Sequence, residues 1–509
     1  MNASRNAATS TSLAAITICA VLQVLAQVVF QVVIANQFGA SKEVDSFSAA
    51  LAVPTVLSAV LTSFIGYIMV PLLVPLIQDV NETSRAKNEQ EFRQVALSVG
   101  VCAIGTCLIA TLCVGFCASR LTTLLYPRFD AEEHALVSNM LQILSPLIVL
   151  SAVQGWLQGI YHSRQNFIIP ALASAVGPSA ITLLLFIPIQ FEQPIYWIAW
   201  CLFLGTLATL SCLAPAIRFA IPQRLSFPPN TMLALRRSIP LIAFNSYTKL
   251  DPVIDRVLLA GLTVGAISHL NYAQRFITAL VLVASSGVST MAFSDLAGAN
   301  SGDLAQFRVR FYENLRRMLL VVIPVVVGLS LFAQASIRTL LERGQFTSQD
   351  TTQVSMLLIA LIGFFVASAV GDLIAKCFYA LGDTRTPSII GALAFTLGMG
   401  FKIAGVQYWG VLGLAIATSG YTLLSVLIML PILYQRLQLR KMGQELGPTI
   451  IRSILGSTLG SLTAAGALWL PTTAAWWIAV ILGVFTYTAM MLALRDPTWR
   501  TMVLRKNKY

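Results

Sequence analysis

Charge is scarce in this sequence. Only 11% of its 509 residues are Asp, Glu, Lys or Arg, against about 25% in an ordinary soluble domain. A water-soluble chain of this size could not coat its surface with so few charges, so soluble, disordered, coiled-coil and fibrous classes are excluded. Histidine is rarer still. His134, His162 and His269 lie far apart, which argues against an imidazole-based metal centre. The eight cysteines, at positions 19, 102, 107, 113, 117, 201, 212 and 377, form no Cys-x-x-Cys pair. No zinc site or disulfide framework is legible, and they are expected to pack as small hydrophobes. No Walker motif occurs, so ATP is not the direct energy source. Long polar segments are also missing. The longest loops, such as 79–93 and 118–134, run about 15 residues, too short for an extramembrane catalytic domain.

What is abundant is apolar sequence: 57% of residues, with a mean hydropathy of +0.78. The 32 Gly and 21 Pro are scattered through the apolar runs, as is common in transmembrane helices. A helix needs about 20 apolar residues to cross the hydrocarbon core. Fourteen stretches qualify: 12–36, 46–78, 94–118, 135–161, 166–190, 194–217, 232–262, 266–295, 314–336, 352–381, 386–406, 410–435, 449–470 and 473–494. The runs are continuous rather than alternating, which excludes a transmembrane barrel. The fold class is therefore an all-α polytopic membrane protein with fourteen transmembrane helices. The first run is long and lacks a small-residue cleavage pattern, so it is expected to be a retained helix rather than a signal peptide.

The basic residues test this count. With the N-terminus inside, most of the 33 Lys and Arg fall in cytoplasmic segments. The opposite side holds only Lys42, Arg120, Arg128, Arg338 and Arg343. This positive-inside asymmetry places both termini in the cytoplasm and supports an even number of spans. It also accounts for the net charge of +12 through topology and anionic lipid, with no nucleic-acid partner.

The two halves resemble each other. Leu124-Leu125-Tyr126-Pro127-Arg128-Phe129 precedes one span, which ends at Gly159-Ile160-Tyr161-His162-Ser163-Arg164. Leu340-Leu341-Glu342-Arg343-Gly344-Gln345-Phe346 precedes another, which ends at Cys377-Phe378-Tyr379-Ala380-Leu381-Gly382-Asp383-Thr384-Arg385. Residues 1–223 then form an N-lobe of spans 1–6, and residues 224–441 a C-lobe of spans 7–12. Residues 442–509 hold spans 13 and 14 and a basic cytoplasmic tail. Six spans per repeat is even, so the lobes are pseudo-symmetric about an axis along the membrane normal, the arrangement of alternating-access carriers.

Ionisable groups inside spans are costly and usually face a cavity or a partner. Gln23, Gln27 and Gln31 recur every four residues on span 1. They form either a polar cavity wall or interhelical hydrogen bonds. Span 7 carries Asn245, Lys249, Asp251, Asp255 and Arg256 around Pro252. Asn245, Lys249 and Arg256 share roughly one face, Asp251 and Asp255 another, and Pro252 is expected to kink the helix. The group binds substrate or a cation, or neutralises itself internally. Span 8 carries His269, Asn271, Gln274 and Arg275. The planar fork of Arg275 suits phosphate, or an ion pair with span 7. Asp372 and Lys376 on span 10 stand at the favourable spacing for a helical ion pair, and Lys402 on span 11 is isolated. In Gly382-Asp383-Thr384-Arg385-Thr386-Pro387, Gly382 can end one helix and Pro387 can sit in the first turn of the next. Asp383 or Thr386 can cap that helix, and with Arg385 the turn also suits a gate.

This turn resembles the signature of the MurJ (MviN) family of the multidrug/oligosaccharidyl-lipid/polysaccharide exporter superfamily. So do Phe38-Gly39-Ala40-Ser41 with Asp45-Ser46-Phe47 and Pro54, the segment Glu342-Arg343-Gly344-Gln345-Phe346-Thr347, and Tyr272-Ala273-Gln274-Arg275. The resemblance covers essentially the whole chain. It implies a non-enzymatic flippase of the bacterial inner membrane, moving lipid II, the undecaprenyl-pyrophosphate-linked precursor of cell-wall peptidoglycan, to the periplasmic leaflet. Spans 13 and 14 then resemble the pair that forms a groove for the lipid tail. The sequence departs from the family where arginines are expected on spans 1 and 2. Span 1 has the glutamines, span 2 has Ser58, and Gln274 replaces an acid. The expected substrate-binding set is Arg275, Lys249, Arg256, Lys376, Gln27, Gln31, Asp45 and Gln274. Asp251, Asp255 and Asp372 are candidates for a coupling Na+ or H+; no other cofactor is expected. The expected partners are a polyprenyl-linked saccharide lipid and membrane lipids, and the expected state is a monomer. Two alternatives stay open at this point: a flippase for another polyprenyl-linked polysaccharide unit, and a cation-coupled small-molecule exporter of the same superfamily.

Overall fold

The structure, a computed structural model, describes residues 2–78, 85–187, 193–221, 247–297, 304–439, 442–469, 475–494, 496, 498 and 499. Among these residues the regular structure is entirely helical. Nine helices or helix pairs among them are long and apolar enough to cross a membrane. The logic is that of a hydrocarbon solvent, in which a helix satisfies its own backbone and a lone strand does not.

The chain divides into two compact units, residues 1–268 and 269–509. The first is built from α1 (Asn2–Phe38), α2 (Lys42–Gln78), α3 (Arg85–Phe116), α4 (Ala118–Leu125), α5 (Ala131–Leu144), α6 (Pro146–Ser163), α7 (Ile168–Leu184) and α8 (Ile195–Leu213). A 3-10 turn (Ala214–Phe219) and the short α9 (Asp251–Leu259) complete it. Helix α2 packs on α3, α5 and α6, and α7 packs on α1 and α8. Segment 222–246, with Asn245 and the first part of the expected span 232–262, lies outside the described residues. The helix is interrupted beside Pro252, as expected: residues 247–249 are helical, a turn at Leu250 follows, and Pro252 stands in the first turn of α9.

The second unit contains α10 (Ala266–Ala297, its first turn lying in the first unit), α11 (Leu304–Leu341), α12 (Ser348–Ala360), α13 (Ile362–Ala380), α14 (Arg385–Leu437), α15 (Met442–Ala467) and α16 (Ala475–Ala493). Helix α11 packs on α12, α13 and α15, α13 on α14, and α15 on α16.

The sequence repeat has a local structural counterpart. Each copy ends in a buried phenylalanine, Phe129 or Phe346. A capping box follows, Asp130 with Glu133 at α5 and Thr347 with Asp350 at α12. Each then gives a 33-residue apolar segment, Ala131–Ser163 and Ser348–Ala380. Both segments break once, at Ser145 and at Leu361.

Helix α14 is a hairpin. Gly410, at φ 57° and ψ −136°, reverses the chain in a conformation that a Cβ would strain. This break separates the two expected spans 386–406 and 410–435. The limbs close on glycine: a Cβ on Gly413 would sit 1.9 Å from the Gly405 carbonyl oxygen. Such close backbone approach is the usual source of attraction between helices in lipid, where packing replaces the hydrophobic effect. Gly413→Val therefore forces the limbs apart. The expected cost is about 1–3 kcal/mol, read as a lower Tm for the purified protein in detergent. An unchanged Tm would show that the limbs are not held by this contact.

Candidate functional site

In the first unit the polar residues collect where α2, α9 and the start of α10 meet. Asp45 is 5% exposed. Its carboxylate accepts hydrogen bonds from the backbone N–H of Gly265 (2.8 Å) and of Ser268 (2.7 Å), and from the Ser268 hydroxyl (2.5 Å). It thus serves the N-terminus of α10 from a helix more than 200 residues away in the chain, satisfying N–H groups that have no intrahelical partner. Arg256 donates from Nε to the Ser48 carbonyl (3.0 Å) and from Nη1 to the Pro252 carbonyl (2.7 Å). It therefore ties α9 to α2. Asp255 is buried, Asp251 half-buried and Lys249 exposed. Tyr126 donates to the Ala49 carbonyl at 3.0 Å. Burial pushes its phenol up to about 12 despite the nearby Arg256 charge. On α1, Gln27 is exposed, and Gln23 and Gln31 are half-buried.

In the second unit, Arg275 is exposed and Gln274 half-buried on α10. One and a half turns earlier, His269 Nε2 lies 2.7 Å from Asp350 Oδ1. Asp350 is also the capping residue of α12. Asp372 and Lys376 form the ion pair that their spacing predicts, at 2.8 Å. Lys402 is 1% exposed, with its ammonium 5.3 Å from the centre of the Tyr421 ring, a cation–π contact. Lys249, Asp251, Asp255, Arg256, Asp45 and the glutamines thus belong to the first unit, and Arg275, Gln274, Asp372 and Lys376 to the second.

The turn between α13 and α14 is a built element. Gly382 takes φ 79°, and Pro387 is buried in the first turn of α14. Asp383 accepts from the Thr386 backbone N–H (2.9 Å) and hydroxyl (2.6 Å), and pairs with Arg436 Nη1 at 2.6 Å. It therefore joins the beginning of the hairpin to its end. Arg385 is exposed. The Thr386 hydrogen bonds, then Arg436, hold the Asp383 carboxyl down at about 2.

One feature was expected only through the family resemblance, which implies a groove at spans 13 and 14. An apolar groove of about 560 Å³ runs between α11, α15 and α16. Gly328, Gly460 and Ala464 line its walls, Phe332 and Trp476 flank it, and Trp499 lies against it. Tyr487 donates to the Leu320 carbonyl at 2.7 Å and meets the Ser453 hydroxyl at 3.0 Å, fixing the groove wall. The run Gly456, Gly460, Ala464, one small residue per turn, was the signal available.

Comparison with known proteins decides the family. Residues 34–493 match the family described as lipid II flippase MurJ. The chain belongs to the MurJ family. Among its relatives, the lipid II flippase MurJ of Burkholderia cenocepacia is 25% identical over 387 residues, covering 72% of each chain. The probable lipid II flippase MurJ of Buchnera aphidicola is 24% identical over 417 residues, 80% of each chain. A solved structure of lipid II flippase MurJ in an inward closed conformation matches with a TM-score of 0.79 at 20% identity, over 95% of this chain and 99% of that one. An inward-facing multidrug-resistance MATE transporter of the MOP superfamily matches at 0.69 and 14% identity, over 82% and 94%. The MurJ fold, shared more distantly with MATE carriers, is thus the fold of this chain.

The Asp383 cap gives a pH prediction for this MurJ-family chain. A carboxyl with a lowered folded-state pKa stabilises the fold above its unfolded value near 4, and that contribution is lost as pH falls toward about 2. Melting curves between pH 5 and pH 2 should therefore fall more steeply for the wild type than for Asp383→Asn. Parallel curves would show that the turn does not hold the hairpin ends together.

Proposed function

We propose that this chain is a flippase that carries lipid II from the cytoplasmic to the periplasmic leaflet of the bacterial inner membrane by alternating access. The observation that carries this is the MurJ family match over residues 34–493. Composition agrees, since a chain with 11% charge and short loops has room for a carrier and little for a catalytic domain. In this reading fourteen spans form two six-helix lobes plus a final pair, and the positive-inside asymmetry puts both termini in the cytoplasm.

The substrate chemistry sets what the residues must do. A pyrophosphate headgroup needs cations and hydrogen-bond donors to replace its water. The polyprenyl tail needs an apolar surface, and it need not leave the membrane. Arg275 and Lys249, both exposed, supply the cations most open to a headgroup. Arg256 has already committed Nε and Nη1 to carbonyls, so it acts more as a support for α9 than as a ligand. Lys376 is engaged by Asp372 and joins substrate only if that pair opens. Gln27 and Gln31 present neutral amides to the saccharide or peptide. Asp251, Asp255 and Asp372 are the carboxylates available to a coupling Na+ or H+. Asp45 supports the start of α10, the helix that bears Arg275 and Gln274. The groove between α11, α15 and α16 takes the tail.

Complementation of a bacterium depleted of its lipid II flippase tests this. The wild-type chain should restore growth, and Arg275→Ala, inserted at equal level, should lower flipping by tenfold or more, since it removes a charge-assisted phosphate contact. Failure of the well-expressed wild type would point to another polyprenyl-linked cargo. Full activity of Arg275→Ala would remove Arg275 from the site.

A further inference from the structure

A second cationic site lies in the first unit, apart from all the residues assigned above. Arg164 follows α6, and its guanidinium lies over two aromatic rings, 4.1 Å from the centre of Phe219 and 4.8 Å from that of Phe92. Its Nη2 donates to Glu89 Oε1 at 2.5 Å. The same oxygen accepts from Arg93 Nε at 3.3 Å, while Arg93 Nη1 donates to the Ile221 carbonyl at 3.3 Å. Arg218 lies over Phe219 as well, at 4.7 Å. In these contacts one carboxylate serves two guanidinium groups and a third stands beside them, so the cluster keeps an excess of positive charge.

Two donors in this cluster are buried and unsatisfied. Among the described residues, Arg164 Nε and the Tyr161 hydroxyl have no hydrogen-bond partner. Tyr161 is only 3% exposed, lies one turn before Arg164 on α6, and feels the charge of Arg218. A buried donor without an acceptor is costly, and such groups in native proteins usually mark a bound water or ion. An anion with several oxygens would satisfy both donors and offset the charge. The aromatic faces hold the guanidinium in place, and its planar fork matches phosphate. The neighbouring chain positions are apolar and open to the outside: Phe167 is 50% exposed, Ile217 42% and Ile221 59%. Cations backed by exposed apolar side chains at a helix end suit a phosphate that is attached to acyl chains.

We propose that Arg164, Arg218 and Tyr161 bind a phosphate group at the inner surface of the membrane, supplied by the headgroup of an anionic phospholipid. The inner-surface placement rests on the orientation proposed above; the binding chemistry does not. The site would anchor α6 and the 3-10 turn to the lipid surface.

The test uses the full-length protein, delipidated in detergent, titrated with phosphatidylglycerol or phosphatidylcholine in mixed micelles and, separately, with inorganic phosphate. Thermal stability is the readout, and no transport is involved, so failure of the flippase reading leaves the result intact. Phosphatidylglycerol should raise Tm saturably and phosphatidylcholine much less. The Arg164→Gln/Arg218→Gln double variant should lose the response. Tyr161→Phe, which keeps the packing, should bind about tenfold more weakly through loss of one hydrogen bond to a charged group. The same variant pattern with inorganic phosphate alone would support the site and assign it to free phosphate. If Tyr161→Phe responds like the wild type, or if neither phosphate source gives a saturable response, the proposal is overturned.

Discussion

The expense of an unpaired polar group in hydrocarbon governs this molecule. With so few charges and so much apolar surface, each intramembrane carboxylate or cation needs a partner. The partners are specific. Asp45 is enclosed by two backbone N–H groups and a hydroxyl. Arg256 is spent largely on carbonyls. Asp372 has Lys376, His269 has Asp350, and Lys402 lies beside the Tyr421 ring. These groups act as rivets. Arg275, Lys249 and Gln27 differ in that their side chains are exposed.

The same constraint shapes the helices. Lipid offers no hydrophobic gain for pressing two helices together, so close backbone contact does that work. Gly405 against Gly413, and Gly460 against Gly483, bring backbones within a distance that any Cβ would obstruct. A carrier gains from this mode of assembly. Small-residue contacts carry little side-chain interlock, and hydrogen-bonded turns such as Asp383 with Thr386 and Arg436 mark where rigid limbs join.

Much of the architecture was legible in the sequence because length and hydropathy report directly on membrane spans. The two copies of the repeat predicted two equivalent apolar spans, and the structure has them after Phe129 and Phe346, each opened by a capping box that was not foreseen. Spacing alone identified the Asp372–Lys376 pair. The turn at Gly382 was legible because its residues act on near neighbours. Long-range pairings were not. Nothing in the sequence near Asp45 points to Ser268, since the bond depends on how α2 meets α10. The Arg164 cluster stayed hidden because Arg164, the pair Glu89 and Phe92, and the pair Arg218 and Phe219 come from three distant segments. The groove between α11, α15 and α16 was expected only through the family resemblance, because its apolar walls carry no distinctive chemistry of their own.

The most direct test of the account is a flipping measurement with the purified chain in proteoliposomes carrying labelled lipid II in one leaflet. The account predicts protein-dependent movement of the label to the other leaflet, sharply reduced by Arg275→Ala and preserved by substitution at the exposed Phe485. Folded, correctly inserted protein that leaves lipid II in its starting leaflet would contradict it.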